Sequence, residues 1–410
     1  MSFGRSMMLA VFLALRNLHR HRRRSITSLL AVAFGVAALL IAGGYVASLF
    51  EEFREATIQS QLGHIQVSRP GFHDAGTSDP YGYILPARID ELTRNLPSQT
   101  RIAPRIMVNG LASSGEITLP FIAEGIDPAV DMVDDRSLRI VAGRRLASDD
   151  ERHLLLGQGL ANLLEVEVGD QLVLLVNAKG GALSATEGEV IGFFSSFSQE
   201  FDDAALLMPL SLARSLTGIE GAHSWLVFLG ETADTDENLS VLQRELSADQ
   251  YEVKAWYDLA EFYNRASALF SQQLGVIKIM IMVIILLGIG NTMMMSVLER
   301  TGEIGTMMAM GTRKSAILRG FLVEGGLLGL AGALLGVAAA YAIAYLLRLL
   351  SIEMPPPPGF AVGYEASLSL SGGLILETVV LACVTTTLAA LYPAVRASRM
   401  VIVDALWKVR

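Results

Sequence analysis

Four stretches of the chain are apolar almost without a break, and the segments between them alternate or mix apolar with polar positions. The long runs predict membrane-spanning helices at 25–50, 276–298, 321–350 and 373–395. Each exceeds the roughly 20 residues that cover a hydrocarbon layer of about 30 Å at about 1.5 Å per helical residue. The first run, 28–50 (SLLAVAFGVAALLIAGGYVASLF), carries no charge, whereas Lys278, Glu324 and Glu377 lie near the starts of the other three. From such positions they can snorkel to head groups or pair with one another, which suits anchoring better than a proton relay. Gly325, Gly329, Gly332 and Gly336 recur at near-helical spacing and predict a smooth stripe for close packing against another helix.

Between the first two runs, residues 51–275 read as a mixed α/β domain. GHIQVSR (63–69) alternates like a strand, and NGLASSG with EITLPFIAEGID (109–127) predicts a strand pair turning near Ser114-Gly115. LEVEVGDQLVLLV (164–176) reads as two strands hinged at Gly169-Asp170, and 187–196 as another. A strand then a helix is expected over 203–216, and a strand–helix–strand order over 222–256. The first and last portions are expected to close on each other around an inserted middle of about 126–215. Helices from about Glu51 and over 258–275 would continue the first two spans outward as stalks, either transmitting movement or serving as tethers.

Charge orients this pattern. Of the 410 residues 52% are hydrophobic and 18% charged, the latter below the ~25% usual for soluble proteins. Segments 1–24, 299–320 and 396–410 together hold 14 basic and 3 acidic residues, whereas 51–275 holds 16 basic and 34 acidic. Excess Lys and Arg mark the cytoplasmic side. Both termini and 299–320 are therefore expected inside, with the acidic domain and the 351–372 loop outside. The opening 1–24 reads as an amphipathic helix on the cytoplasmic membrane face, since no cleavage pattern follows its short apolar run. Pro355 to Pro358 would make the 351–372 loop stiff and extended. With one cysteine, Cys383, no intrachain disulfide is possible, and an acidic external domain argues against a nucleic-acid partner.

No catalytic, cofactor-binding or metal-ligating constellation emerges. His64, His73, His153 and His223 are dispersed without metal-like spacing. Ser195-Ser196 lacks the G-x-S-x-G elbow, and Asp202 and Asp203 read as a solvated turn. GTRKS at 311–315 has neither the spacing nor the preceding strand of a phosphate-binding loop. Any ATP hydrolysis must therefore occur on another polypeptide. The link 299–320 is amphipathic, with Glu299, Glu303, Met307, Met308 and Met310 interrupted by Gly305 and Gly311. Methionines offer an adaptable apolar surface, either to a partner protein or to lipid.

Three stretches carry a family resemblance: RNLHRHRRRSITSLLAVAFGV at the start, ERTGEIGTMMAMGTRKSAILRGFLVEGGLLGLAGALLG in the middle, and LYPAVRASRMVIVDAL at the end. With one span, a large external domain and three further spans, the chain resembles the FtsX-like permease family of ATP-binding-cassette systems. Its branch is that of lipoprotein-releasing permeases and macrolide-exporter-type (MacB-like) subunits. The resemblance implies a MacB-like periplasmic core, a permease dimer (homo- or heterodimer) and two separate ATPase subunits that hold ATP and magnesium. It places a coupling helix over Glu303, Ile304, Gly305, Met308, Met310 and Gly311, docked in a groove of the ATPase. It further implies that closure of the stalks lifts an amphiphilic cargo, such as a lipoprotein, from a bacterial inner membrane. Mechanotransmission to a periplasmic partner such as a cell-wall hydrolase, or drug or peptide export with an adaptor, are the alternatives. Met400-Val401-Ile402 departs from a proline often present in the closing motif. The macrolide exporter's fused ATPase domain has no counterpart in these residues, which favours a lipoprotein-releasing or stand-alone permease layout.

Overall fold

Four helices of the computed structural model are long and apolar enough to span a membrane: α1 (Arg22–Thr57), α5 (Glu261–Glu299), α7 (Lys314–Leu350) and α8 (Gly372–Ser398). The structure describes residues 22–400 except 76–78, 80, 89–91, 93–95, 98, 132–137, 197 and 355–363. The expected helix over 1–24 falls largely outside the described residues. Pro355 to Pro358 and the end of the 396–410 tail lie wholly outside them. The chain divides into a helical unit (Met1–Leu49, Ser267–Ile352 and Glu365–Arg410) and an α/β unit (Phe50–Ala266 and Glu353–Tyr364).

The α/β unit is inserted between the first two long helices, and its strands form one branched sheet. In chain order these are β1 (Ile65–Ser68), β2 (Arg101–Ser113), β3 (Thr118–Ile126), β4 (Arg139–Gly143), β5 (His153–Gly157), α2 (Gln158–Leu164), β6 (Gln171–Asn177), β7 (Leu183–Ser195), β8 (Ala205–Pro209), α3 (Leu210–Thr217), β9 (Ser224–Phe228), α4 (Thr235–Glu245) and β10 (Glu252–Ala255). Strand order runs β10-β1-β9-β2-β3-β8-β5-β7-β4, and β6 pairs with both β2 and β7. The ring β2-β3-β8-β5-β7-β6 is thereby closed, a small barrel beside an open sheet. Strand β2 serves both: Arg101 to Arg105 pair with β9, while Ile106 to Ser113 pair with β3. Closure removes the unpaired edges that an open sheet exposes. Alternation along β6, with Leu172, Leu174 and Val176 inward, fills the barrel with Phe121, Leu156 and Leu206.

Strand β1 lies antiparallel between β9 and β10, so early and late portions of the domain share one sheet. The strand–helix–strand order over 222–256 is present as β9, α4 and β10. LEVEVGDQLVLLV is not two strands, however. Leu164 ends α2, Glu165 takes a left-handed conformation (φ 54°) as its C-cap, and only Gln171 onward is strand. Leu160 and Leu164 are buried at helical spacing. Over so few residues that spacing is indistinguishable from strand alternation.

Asp202 also departs from expectation, because it is buried rather than solvated. Its carboxylate accepts from the Ser195 hydroxyl at 3.0 Å and from the Ser196 amide at 2.9 Å. It thus satisfies the end of β7, and Ser195-Ser196 is a strand terminus rather than a nucleophile elbow. Where β2 passes from sheet to barrel, buried Arg105 reaches Glu124 at 2.9 Å and Asp131 at 3.0 Å. No spacing along the chain announces this three-residue cluster.

The stalk ends are fastened within the α/β unit. Helix α1 passes into a π-helical turn, Ile58–Leu62. Phe53 lies 5.3 Å from Tyr263 and 5.7 Å from Phe262 between ring centroids, and Trp256 lies 5.2 Å from Tyr263. Buried His64 accepts from the Leu229 amide through Nδ1 at 3.1 Å. Its Nε2 therefore carries the hydrogen and donates to Thr232 (3.2 Å), whose hydroxyl donates to the Glu55 carboxylate (2.9 Å). Burial holds the imidazole pKa down at about 4, against a smaller upward pull from Glu55.

Because its folded pKa lies below its unfolded value, His64 supports stability fully above about pH 6.5 and loses that support as pH falls toward 4. Thermal unfolding followed by tryptophan fluorescence should therefore worsen across this window. His64→Gln, whose amide oxygen can still accept from Leu229, should flatten the slope. Identical slopes in the two proteins would count against the assignment.

Candidate functional site

The helical unit is built on the glycine stripe of α7, and the stripe serves two partners. A Cβ at Gly325 would stand 2.7 Å from Ala390 Cβ, and one at Gly329 would strike Thr386 Oγ1, both on α8. One at Gly332 would stand 2.7 Å from Val32, and one at Gly336 2.7 Å from the Ala33 carbonyl, both on α1. The sequence suggested a single neighbouring helix. Inclined helices separate along their length, so a stripe of this length passes from one partner to the next. All four glycines are buried.

Three of the charged residues within the spans, Lys278, Glu324 and Glu377, are paired. Lys278 of α5 reaches Glu377 of α8 at 2.6 Å, and Glu324 of α7 accepts from Arg300 Nη1 at 3.2 Å. Such pairing lowers the cost of holding charge near the apolar layer.

The link between α5 and α7 folds as a short helix, α6 (Thr301–Ala309). Arg300 leaves helical geometry (φ −100°, ψ 14°) and so turns the chain between α5 and α6. Gly311 adopts φ 88° and its amide donates to the Met308 carbonyl at 3.0 Å, ending α6. This left-handed position favours glycine. Helical spacing then sorts the segment into two faces. Ile304, Gly305 and Met308 are buried, with Ile304 and Met308 packed in the same cluster as Val297, Ile317 and Phe321. Glu303, Thr306, Met307 and Met310 face outward, Met310 at 75% exposure. The residues grouped from the sequence as one docking set therefore divide. Glu303 and Met310 are on the accessible side, Ile304, Gly305 and Met308 hold the helix to its own bundle, and Gly311 shapes the turn. The amphipathic pattern of the link did not distinguish which apolar side chains the bundle covers, and the exposed methionine outside the expected docking set is Met307.

Arg300 is the polar centre of this region. Its Nε lies 3.6 Å from Glu303, its Nη1 reaches Glu324, and its guanidinium carbon stands 5.6 Å from the centroid of the Phe321 ring. Among the described residues, no group of three His, Cys, Asp or Glu side chains could hold a metal ion.

Residues 25–244, more than half of the chain, match the MacB-like periplasmic core domain, and residues 275–402 match the FtsX-like permease C-terminal model. An uncharacterised ABC transporter permease of Methanocaldococcus jannaschii is 27% identical over 54% of this chain and 55% of its own length. The chain thus spans about half of that relative. An uncharacterised ABC transporter permease of Bacillus subtilis is 24% identical over 96% of this chain and 98% of its own. The lipoprotein-releasing system transmembrane protein LolC of Xylella fastidiosa is 25% identical over 97% of this chain and 98% of its own.

Proposed function

The chain belongs to the FtsX-like permease family, with a MacB-like periplasmic core domain, and from that premise we propose that it couples ATP hydrolysis on a separate ATPase to extraction of an amphiphile, such as a lipoprotein, at the outer face of a bacterial inner membrane. It is a multi-pass membrane protein with an extracytoplasmic α/β domain, a permease of ABC transport. The observation that carries the coupling proposal is the outward face of α6, where Met307 and Met310 stay exposed while Ile304 and Met308 are spent on the bundle. An exposed apolar edge between two spans suits docking to a protein.

The reading places the termini and α6 in the cytoplasm, following the basic excess of those segments. It places the spans at 25–50, 276–298, 321–350 and 373–395, with 51–275 and 351–372 outside. ATP and magnesium are held by an ATPase dimer, and a second permease subunit completes the membrane part. Cargo displacement is supported by two features of α1 and α5: each is longer than a bilayer requires, and their outer ends are packed by Phe53, Trp256 and Tyr263. A lipoprotein cargo is favoured by full-length similarity to a lipoprotein-releasing subunit.

Reconstitution with the ATPase in proteoliposomes tests this. Acylated lipopeptides should stimulate ATP hydrolysis, whereas the same peptides without acyl chains should not. An intact complex indifferent to every amphiphile offered would overturn the transport reading. Capture of a periplasmic hydrolase by such a complex would favour mechanotransmission instead.

A further inference from the structure

Three elements of the helical unit meet at one guanidinium. Arg300 is the turning residue that follows α5, it lies beside Glu303 of α6, and it reaches Glu324 and Phe321 of α7. Its side chain is only 14% exposed and that of Glu324 only 9%. Another ion pair of the spans, Lys278–Glu377, leaves 29% and 57% of its side chains outside the packed bundle. A buried pair resists separation, because parting it leaves an uncompensated charge in a poorly polarisable site. Arginine suits this position, since its planar donors can face two carboxylates while the flat cation rests on an aromatic ring.

We propose that Arg300 is a positioning residue that makes α6 and α7 move as one body, so that a displacement of α6 becomes a displacement of the third span. The proposal rests on the permease reading for the source of that displacement. Around the ion pair, Ile304 and Met308 from α6 and Ile317 and Phe321 from α7 form an apolar collar. The collar supplies adhesion but permits sliding, because apolar contact is non-directional. The Arg300–Glu324 pair adds direction. Through Gly325 and Gly329 the third span bears on α8, and through Gly332 and Gly336 on α1. Movement delivered to α7 therefore reaches the helix that continues toward the α/β domain.

The test uses the whole chain with Cys383→Ala, and spin labels on Thr306→Cys and Leu330→Cys, both exposed positions. Arg300→Met alone would take a charged partner from the buried Glu324 carboxylate and risks misfolding. The double variant Arg300→Met/Glu324→Met removes both charges and preserves an apolar fill. The label-to-label distance distribution should be narrow in the parent and broad in the double variant. In complex with the ATPase, the double variant should still capture its partner through Met307 and Met310. Its permease-stimulated hydrolysis should fall about five- to tenfold, the size expected when a coupling contact is lost. Equal widths in the two proteins would overturn the proposal. So would loss of ATPase capture by the double variant alone, which would make Arg300 a support for the docking surface. If the parent itself captures no ATPase, the permease reading fails, while the label comparison still decides whether Arg300 joins the two helices.

Discussion

Met307→Asp/Met310→Asp is expected to abolish capture of the ATPase while leaving the permease folded. Both side chains are exposed on α6, so an ionised carboxylate there costs the free chain almost nothing. In a docked interface the same carboxylates would lose water without gaining partners. Each such burial costs on the order of 2 kcal/mol or more, so the pair predicts roughly a thousandfold weaker capture. Ile304→Asp must behave differently, since Ile304 is buried against its own bundle. It should lower the yield and melting temperature of the permease itself, with loss of the ATPase as a consequence. Co-purification and thermal melts run side by side separate the two outcomes. Normal capture by the Met307/Met310 variant would remove α6 as the docking surface.

Gly336→Leu and Gly329→Leu are expected to cost about 3 kcal/mol or more each, because overpacking against rigid neighbours has no inexpensive relief. At Gly336 the obstacle is the Ala33 backbone carbonyl, and at Gly329 it is Thr386 with the Cys383 backbone behind it. Backbone cannot rotate aside as a side-chain tip can. The first variant should loosen α1 and the second α8, read as increased thiol reactivity of cysteines placed at Val32 or Ala390, with Cys383 replaced. Gly288→Leu is the control, since nothing stands within 4 Å of its added Cβ. An isolated chain equally stable with leucine at 288, 329 and 336 would refute the packing assignment.

The long elements were legible because their signal is local and repeated. Twenty apolar residues in a row, or a glycine every third or fourth position, states its preference without reference to anything distant. The four spans, the mixed α/β insertion between the first two, and the family resemblance all rest on such continuous patterns. Leu160 and Leu164 show where that signal weakens, since two buried leucines over a few residues fit a strand as well as the helix they occupy.

What the amino-acid order determined unaided was which segments leave water and which residue types gather on each α-helical face. Partner choice belonged to the tertiary structure alone. It divided the glycine stripe between two helices, turned Ile304 and Met308 inward and Met307 and Met310 outward, closed β2, β3, β5, β6, β7 and β8 into a barrel, and brought Arg300 to Glu324 and Arg105 to Asp131. The physical reason is that hydrophobicity and helical period are properties of neighbouring residues, whereas an ion pair or a close backbone approach depends on groups that only three-dimensional packing brings within a few ångströms.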